Sequence, residues 1–179
     1  MTTSRTLRGL MCAGVLATAL VAGAPVSAHG QGTPSAPVPA NLVPPAGNVP
    51  LADFAASGVQ VYTCTAGAWT FTEPAALLAG RAKGIPGPQA ATHFRGPSWQ
   101  STRDGSLVEA RSVASSPVSG SIPQLLLQST RTRGDGVFGA VTYIQRLATS
   151  GGVAPTGACV DGQTSGVPYR AVYRFFVAG

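Results

Sequence analysis

Val59-Gln60-Val61-Tyr62-Thr63-Cys64 is a run of β-branched and aromatic residues, and after the turn at Gly67 a second such run follows, Ala68-Trp69-Thr70-Phe71-Thr72. Two short runs of this kind around a glycine read as a β-hairpin. The same grammar recurs down the chain. Ala91–Arg103 and Ser106–Ser112 are joined by Asp104-Gly105, and Ile122–Arg131 and Val137–Leu147 flank Gly134-Asp135-Gly136. Both connectors are hairpin signals. Arg170–Val177 closes the chain with Ala171, Tyr173, Phe175 and Val177 on one face. The expectation is an all-β, mainly antiparallel fold, a sandwich or barrel of seven or eight strands with at most one or two short helices. Leu51–Ala56 is predicted to form a helical turn ended by Gly58. Pro74–Ala79 is predicted to form a helix with proline at its start and Gly80 after it. Gly84–Pro88 reads as an irregular loop.

Composition agrees with this class. The 179 residues hold 23 glycines and 15 prolines, and only 10% are charged. That load opposes long helices, because glycine and proline in a helix interior cost about 1 and 3 kcal/mol. Such sparse charge also excludes a charged coiled coil and a polyampholyte disordered chain.

The first 50 residues read differently. Arg5 and Arg8 precede an apolar core, Leu10–Ala24, and Val26-Ser27-Ala28 offers a small-residue cleavage site. That order describes a secretory signal peptide over residues 1–28, cleaved after Ala28. A membrane anchor is the weaker reading, since the stretch is short and carries Gly14, Gly23 and Pro25. Residues 29–50 contain six prolines and no charge, and are expected to be a flexible linker. Residues 51–179 form the single domain. Loss of Arg5 and Arg8 lowers the net charge from +6 to +4. Secretion also bears on the cysteines: with Cys12 removed, Cys64 and Cys159 remain in a compartment where disulfides persist. A structural bridge between them is expected, two free thiols being the alternative.

Several segments resemble a bacterial and fungal family of secreted proteins of unknown function. They are Gly58–Cys64, Thr92-His93-Phe94-Arg95-Gly96-Pro97-Ser98-Trp99, Ile122–Leu127, Arg146–Pro155 and Val167–Ala171. The family usually carries Trp where this chain has Gln124. The resemblance implies a shared fold and export, and brings no established activity. Some fungal members bear the label malate dehydrogenase, which the residues here do not support. Gly134-Asp135-Gly136-Val137-Phe138-Gly139 fits the spacing of a dinucleotide loop, with Asp161 placed as a ribose ligand. That chemistry needs a helix after the glycines to hold a pyrophosphate, and Val137–Leu147 is a strand sequence. No cofactor is expected.

The densest set of functional residue types is His93, Arg95 and Trp99. Strand alternation puts them on one face, opposite Phe94. As a binding site they combine a titratable ring, a cation and an aromatic platform. As structure, Trp99 belongs to the core and a backbone hydrogen bond holds His93. No catalytic residue and no metal site is assigned. There is no G-x-S-x-G elbow, and Asp104, Asp135 and Asp161 each precede glycine as turn residues do. His29, the first residue after cleavage, could pair with His93 to bind copper, as in secreted copper monooxygenases. The reading taken forward is a secreted, monomeric, non-catalytic module that binds a small molecule or an envelope component and no nucleic acid. An extracellular enzyme, hydrolytic or copper-dependent through His29 and His93, is the alternative.

Overall fold

The computed structural model describes residues 37–179. The expected signal peptide, its cleavage site and His29 lie outside the described residues. Eight antiparallel strands form a closed barrel in chain order: β1 (Asn48–Thr65), β2 (Ala68–Ala82), β3 (Ile85–Phe94), β4 (Ser98–Ser101), β5 (Leu107–Val118), β6 (Ser121–Arg133), β7 (Val141–Gly151) and β8 (Thr164–Ala178). Of the two expected architectures the chain adopts the barrel. β1 is the closing strand, paired with β2 on one side (Phe54 opposite Gly80) and β8 on the other (Phe54 opposite Tyr173).

Alternation assigns the inside. Ala52, Phe54, Ala56, Gln60, Tyr62 and Cys64 of β1 are buried at every second position, as are Ala76 and Leu78 of β2 and Tyr169, Ala171, Tyr173 and Phe175 of β8. Neither predicted helix forms. Leu51–Ala56 is strand, because Ala52, Phe54 and Ala56 fill the interior at period two while both neighbours pair with them. Local alanine propensity is too weak to resist two hydrogen-bonded ladders. Pro74–Ala79 lies in β2. Pro74 is tolerated there because it sits next to a bulge in the β1–β2 ladder and short of the β2–β3 ladder, which starts at Ala76. Gly84–Pro88 is mostly strand, β3 starting at Ile85. The expected strand Ala91–Arg103 is broken by a turn with a cis Gly96–Pro97 peptide, which separates β3 from β4.

Folded structure also starts before Leu51. A 3-10 turn, Ala40–Leu42, packs on the outside of β5 and β6 and buries Leu42. Gln145 Nε2 donates to the Leu42 carbonyl (2.6 Å) and Asn41 Nδ2 to the Ser115 carbonyl (2.9 Å). The described part of the expected linker is therefore docked onto the barrel.

The two barrel ends differ. At the end where β2–β3, β4–β5 and β6–β7 connect, the β6–β7 loop folds under the barrel and buries Val137 and Phe138. Phe138 packs on Phe175 (centroids 4.7 Å) and Phe54 (5.7 Å), which plugs this end with aromatic rings. Asp104 fixes the plug. Its carboxylate accepts from Ser106 N–H (2.9 Å), Ser106 O–H (2.6 Å) and Val137 N–H (3.1 Å), while Ser106 Oγ accepts from Phe138 N–H (3.0 Å). The glycine series is explained by the same packing. A Cβ on Gly136 would meet the Asp104 carboxylate at 2.1 Å, and one on Gly139 would meet the Gly134 carbonyl at 2.1 Å. No helix follows these glycines, and Asp161 lies in the β7–β8 loop at the other end. There its carboxylate accepts the Gly67 N–H (3.0 Å).

The expected disulfide joins Cys64, at the end of β1, to Cys159 in the β7–β8 loop, across a sequence separation of 95. A tie of that length is expected to contribute about 4–5 kcal/mol by restricting the unfolded chain. Replacing both cysteines by serine should lower the urea midpoint accordingly, and an unchanged midpoint would show that the bridge does not stabilise the fold. Gly139→Ala, which forces a methyl group against backbone, should cost about 2–3 kcal/mol in the same assay.

Candidate functional site

Above the aromatic plug the barrel is not filled. The opposite end, which carries the β1–β2, β3–β4 and β5–β6 turns and the β7–β8 loop, opens into a cup of about 470 Å³. Its floor is a layer of three side chains. His93 of β3 and Trp99 of β4 are directly opposed in register, and their rings stack with centroids 4.3 Å apart and planes 6° from parallel. Tyr173 of β8 meets both rings edge-on, at 5.2 and 5.3 Å. Trp99 also contacts Phe175 (6.0 Å), so the floor rests on the plug cluster. The walls carry Tyr62, Phe71, Pro74, Leu125, Leu127 and Arg146.

His93 is held in one tautomer. Its Nδ1 lies 2.9 Å from the Ser98 carbonyl, an acceptor only, so Nδ1 carries the proton and Nε2 is bare. Burial lowers its pKa to about 4, assisted by the Arg146 charge and opposed by the Ser98 hydrogen bond. The ring is therefore neutral at physiological pH. The Ser98 hydroxyl donates to the Arg95 carbonyl (2.9 Å), inside the turn. Among the described residues His93 thus engages a backbone carbonyl, with no hydrogen bond to a serine hydroxyl or carboxylate. No three His, Cys, Asp or Glu side chains among them converge on a metal position.

The three residues singled out from sequence all line the cup but do different things. His93 and Trp99 are buried in its floor, and His93 keeps the backbone hydrogen bond expected of a structural histidine. Arg95 stands exposed beside the opening, where Nε donates to Glu73 (3.2 Å). Sequence reasoning missed Arg146. This side chain of β7 is half-buried in the cup wall, its Nε donating to the Pro123 carbonyl (3.0 Å). Its charge reaches the floor and wall alike. Burial raises the hydroxyl pKa of Tyr62 and Tyr173, and Arg146 opposes the rise at both. Tyr62 was also missed. Its hydroxyl donates to the Gly152 carbonyl (2.6 Å) and fastens the β7–β8 loop to the cup wall. The available signal was the alternation of β1, which carries Gln60 and Tyr62 inward once Phe54 is placed inside.

Two pH windows follow from these environments. The folded state resists charging His93 between its ordinary value of 6.5 and about 4. Stability is therefore full above pH 6.5 and falls by roughly 3 kcal/mol as pH drops towards 4. For Asp104, burial acts to raise the pKa, but hydrogen bonds from Ser106, Val137 and Ser101 overcome it and bring the value from 3.8 to about 2. Its contribution is complete above pH 4 and is lost towards pH 2. Urea unfolding at successive pH should show the upper decline in the wild type and a flatter profile in His93→Gln. Asp104→Asn should alter the lower window alone. A wild-type profile that stays flat from pH 7 to 4.5 would contradict a buried neutral His93.

No curated protein and no solved structure matches the chain. One family does. The match runs over residues 45–177, from just before β1 nearly to the end of β8, so it takes in both the plug and the cup. The family is described as Protein of unknown function (DUF3455), and this chain belongs to it.

Proposed function

We propose that the protein is an exported, monomeric, non-catalytic module that binds a small, largely apolar molecule in the cup. The observation that carries this reading is a preformed cavity at the open end of an otherwise packed barrel. Its volume, about 470 Å³, falls within the range of small-molecule sites. An aromatic floor and leucine and proline walls offer dispersion contact, and a few polar groups are available to orient a ligand. The floor needs no rearrangement to receive a guest, because Trp99, His93 and Tyr173 are already fixed by one another and by the phenylalanines beneath.

Export is supported by the signal-like sequence of residues 1–28 and by the Cys64–Cys159 bridge. Among the described residues no helix is long and apolar enough to cross a membrane. Phe54, Trp99, Phe138, Tyr173 and Phe175 are buried within the barrel, while the Arg174–Asp53 and Arg131–Glu109 pairs lie at its surface. That distribution is the reverse of a membrane-spanning barrel. Arg95 in the β3–β4 turn, Arg131 on β6 and Arg174 on β8 are each paired with a carboxylate. They form no basic stripe of the kind that tracks a nucleic-acid backbone. A closed barrel also lacks free strand edges through which copies could pair, which supports a monomer.

The test is equilibrium titration with Nile red, a neutral apolar dye, following its emission and the quenching of tryptophan fluorescence. Saturable one-to-one binding is expected, weakened at least tenfold by Ser112→Phe, which places a ring in the cup from an exposed wall position. Absence of saturable binding, or binding unaffected by the obstruction, would sink the reading.

A further inference from the structure

Arg146 is out of balance with its surroundings. A cation set in an apolar wall is costly unless an anion faces it, yet the chain contains only six Asp and Glu residues and none of them serves Arg146. Asp53 holds Arg174 in a two-pronged pair (2.7 and 2.9 Å), Glu73 holds Arg95 and Glu109 faces Arg131. Asp104 is committed to the plug and Asp161 to the Gly67 turn. Asp135 lies in the β6–β7 loop at the closed end. Among the described residues the partners of Arg146 are neutral, the Pro123 carbonyl and the Tyr173 hydroxyl in the floor, and no carboxylate pairs with it.

The rest of the polar equipment points the same way. Among the described residues two further donors in residues that line the cup, Gln60 Nε2 and Trp99 Nε1, have no acceptor. Buried donors are normally satisfied, so the barrel around the cup holds more donors than acceptors; those two atoms are closed off from solvent, whereas Arg146 lines the cavity itself. A ligand that completes it must bring negative charge and acceptor oxygens.

Resting on the cup as the binding site, we propose that its ligand is a small organic monocarboxylate with an aromatic or short aliphatic body, the carboxylate pairing with Arg146. One guanidinium matches one carboxylate, with which it forms charge-assisted hydrogen bonds. A phosphate dianion would require a second free cation, and the other arginine lining the cup, Arg95, is already paired with Glu73. The body of the ligand lies against Tyr62, Phe71, Leu125 and Leu127. At the roughly 30 Å³ occupied by a water molecule, the cup has the space of about fifteen waters.

Matched probes test the head group apart from the cavity. 4-Phenylbutyrate, 4-phenylbutyramide and 4-phenylbutylphosphonate share one body and differ in charge, and each is titrated into the full disulfide-bonded chain by calorimetry at pH 7.5, beside Nile red. The carboxylate is expected to bind at least tenfold more tightly than the amide and more tightly than the phosphonate. Arg146→Met should abolish the advantage over the amide, and Arg146→Lys should retain part of it. If Nile red and the amide bind as well as the carboxylate, the cup stands and the anion assignment falls. A preference for the phosphonate would overturn the monocarboxylate class. If no probe binds, Nile red included, both the cup and the anion assignment fail. The comparison of carboxylate with amide on the wild type needs no variant, so a misfolded Arg146 substitution would not blunt it.

Discussion

Closure of the sheet through β1 is the constraint on which everything else depends. Because β1 pairs with both β2 and β8, every strand has two neighbours and every second side chain is forced into one shared interior. Eight strands enclose a space just wide enough for side chains to fill. Here they fill it unevenly. Phe54, Phe138 and Phe175 occupy the closed end completely, and Trp99, His93 and Tyr173 form the next layer. Above that layer the inward positions hold side chains that line the walls without meeting at the axis. The cup follows from how the rings are distributed along the barrel.

The polar groups of the floor, the cup wall and the closed end have different fates. His93 is neutral, its proton fixed on the Ser98 carbonyl and its ring clamped between Trp99 and Tyr173, so it works as a flat packing element. Asp104 stays charged because four hydrogen-bond donors surround it, and it converts a glycine-rich loop into a fitted stopper. Arg146 has neither solution. It carries a charge, and the chain offers it no carboxylate. His93 and Asp104 are satisfied internally and serve the fold, whereas Arg146 faces the cavity without a counter-ion.

Much of the architecture was legible from short-range rules. Asp104-Gly105 connects β4 to β5 as its turn chemistry requires, the inward face of β8 follows its alternation, and the two cysteines pair; Gly134-Asp135-Gly136 opens a longer loop than a hairpin turn, with Val137 and Phe138, read as strand, in the plug and β7 starting at Val141. The failures share one cause. Leu51–Ala56 and Pro74–Ala79 read as helical because alanine and leucine favour helices locally, whereas their state is set by partners more than a hundred residues away in β8 or in the neighbouring β1, past a bulge at Thr72 of β2. The proline-rich stretch before Leu51 reads as a tether, yet Leu42 is buried, because the face it covers exists only once β5 and β6 are side by side. The site was half legible. His93 and Trp99 stand out by residue type, but an arginine in a strand looks like a solvent-facing residue. Gln145 and Arg146 are adjacent, and both are withdrawn from water: one beneath the 3-10 turn on the outside, the other inside the cup. Only the register of the closed barrel separates them.

The barrel's asymmetry bears on how such proteins can diverge. The plug is a set of interlocked glycine, aspartate and phenylalanine positions in which one added methyl group collides with backbone, so change there is tightly restricted. The opposite end is bounded by four separate connections, and the β7–β8 loop is pinned by the disulfide and by Tyr62. A substitution on the cup walls leaves the stopper untouched. The segments through which the chain resembles its family, Gly58–Cys64, Thr92–Trp99, Ile122–Leu127, Arg146–Pro155 and Val167–Ala171, nonetheless belong to the open half of the barrel, so what relatives share reaches beyond the foundation to the walls above it.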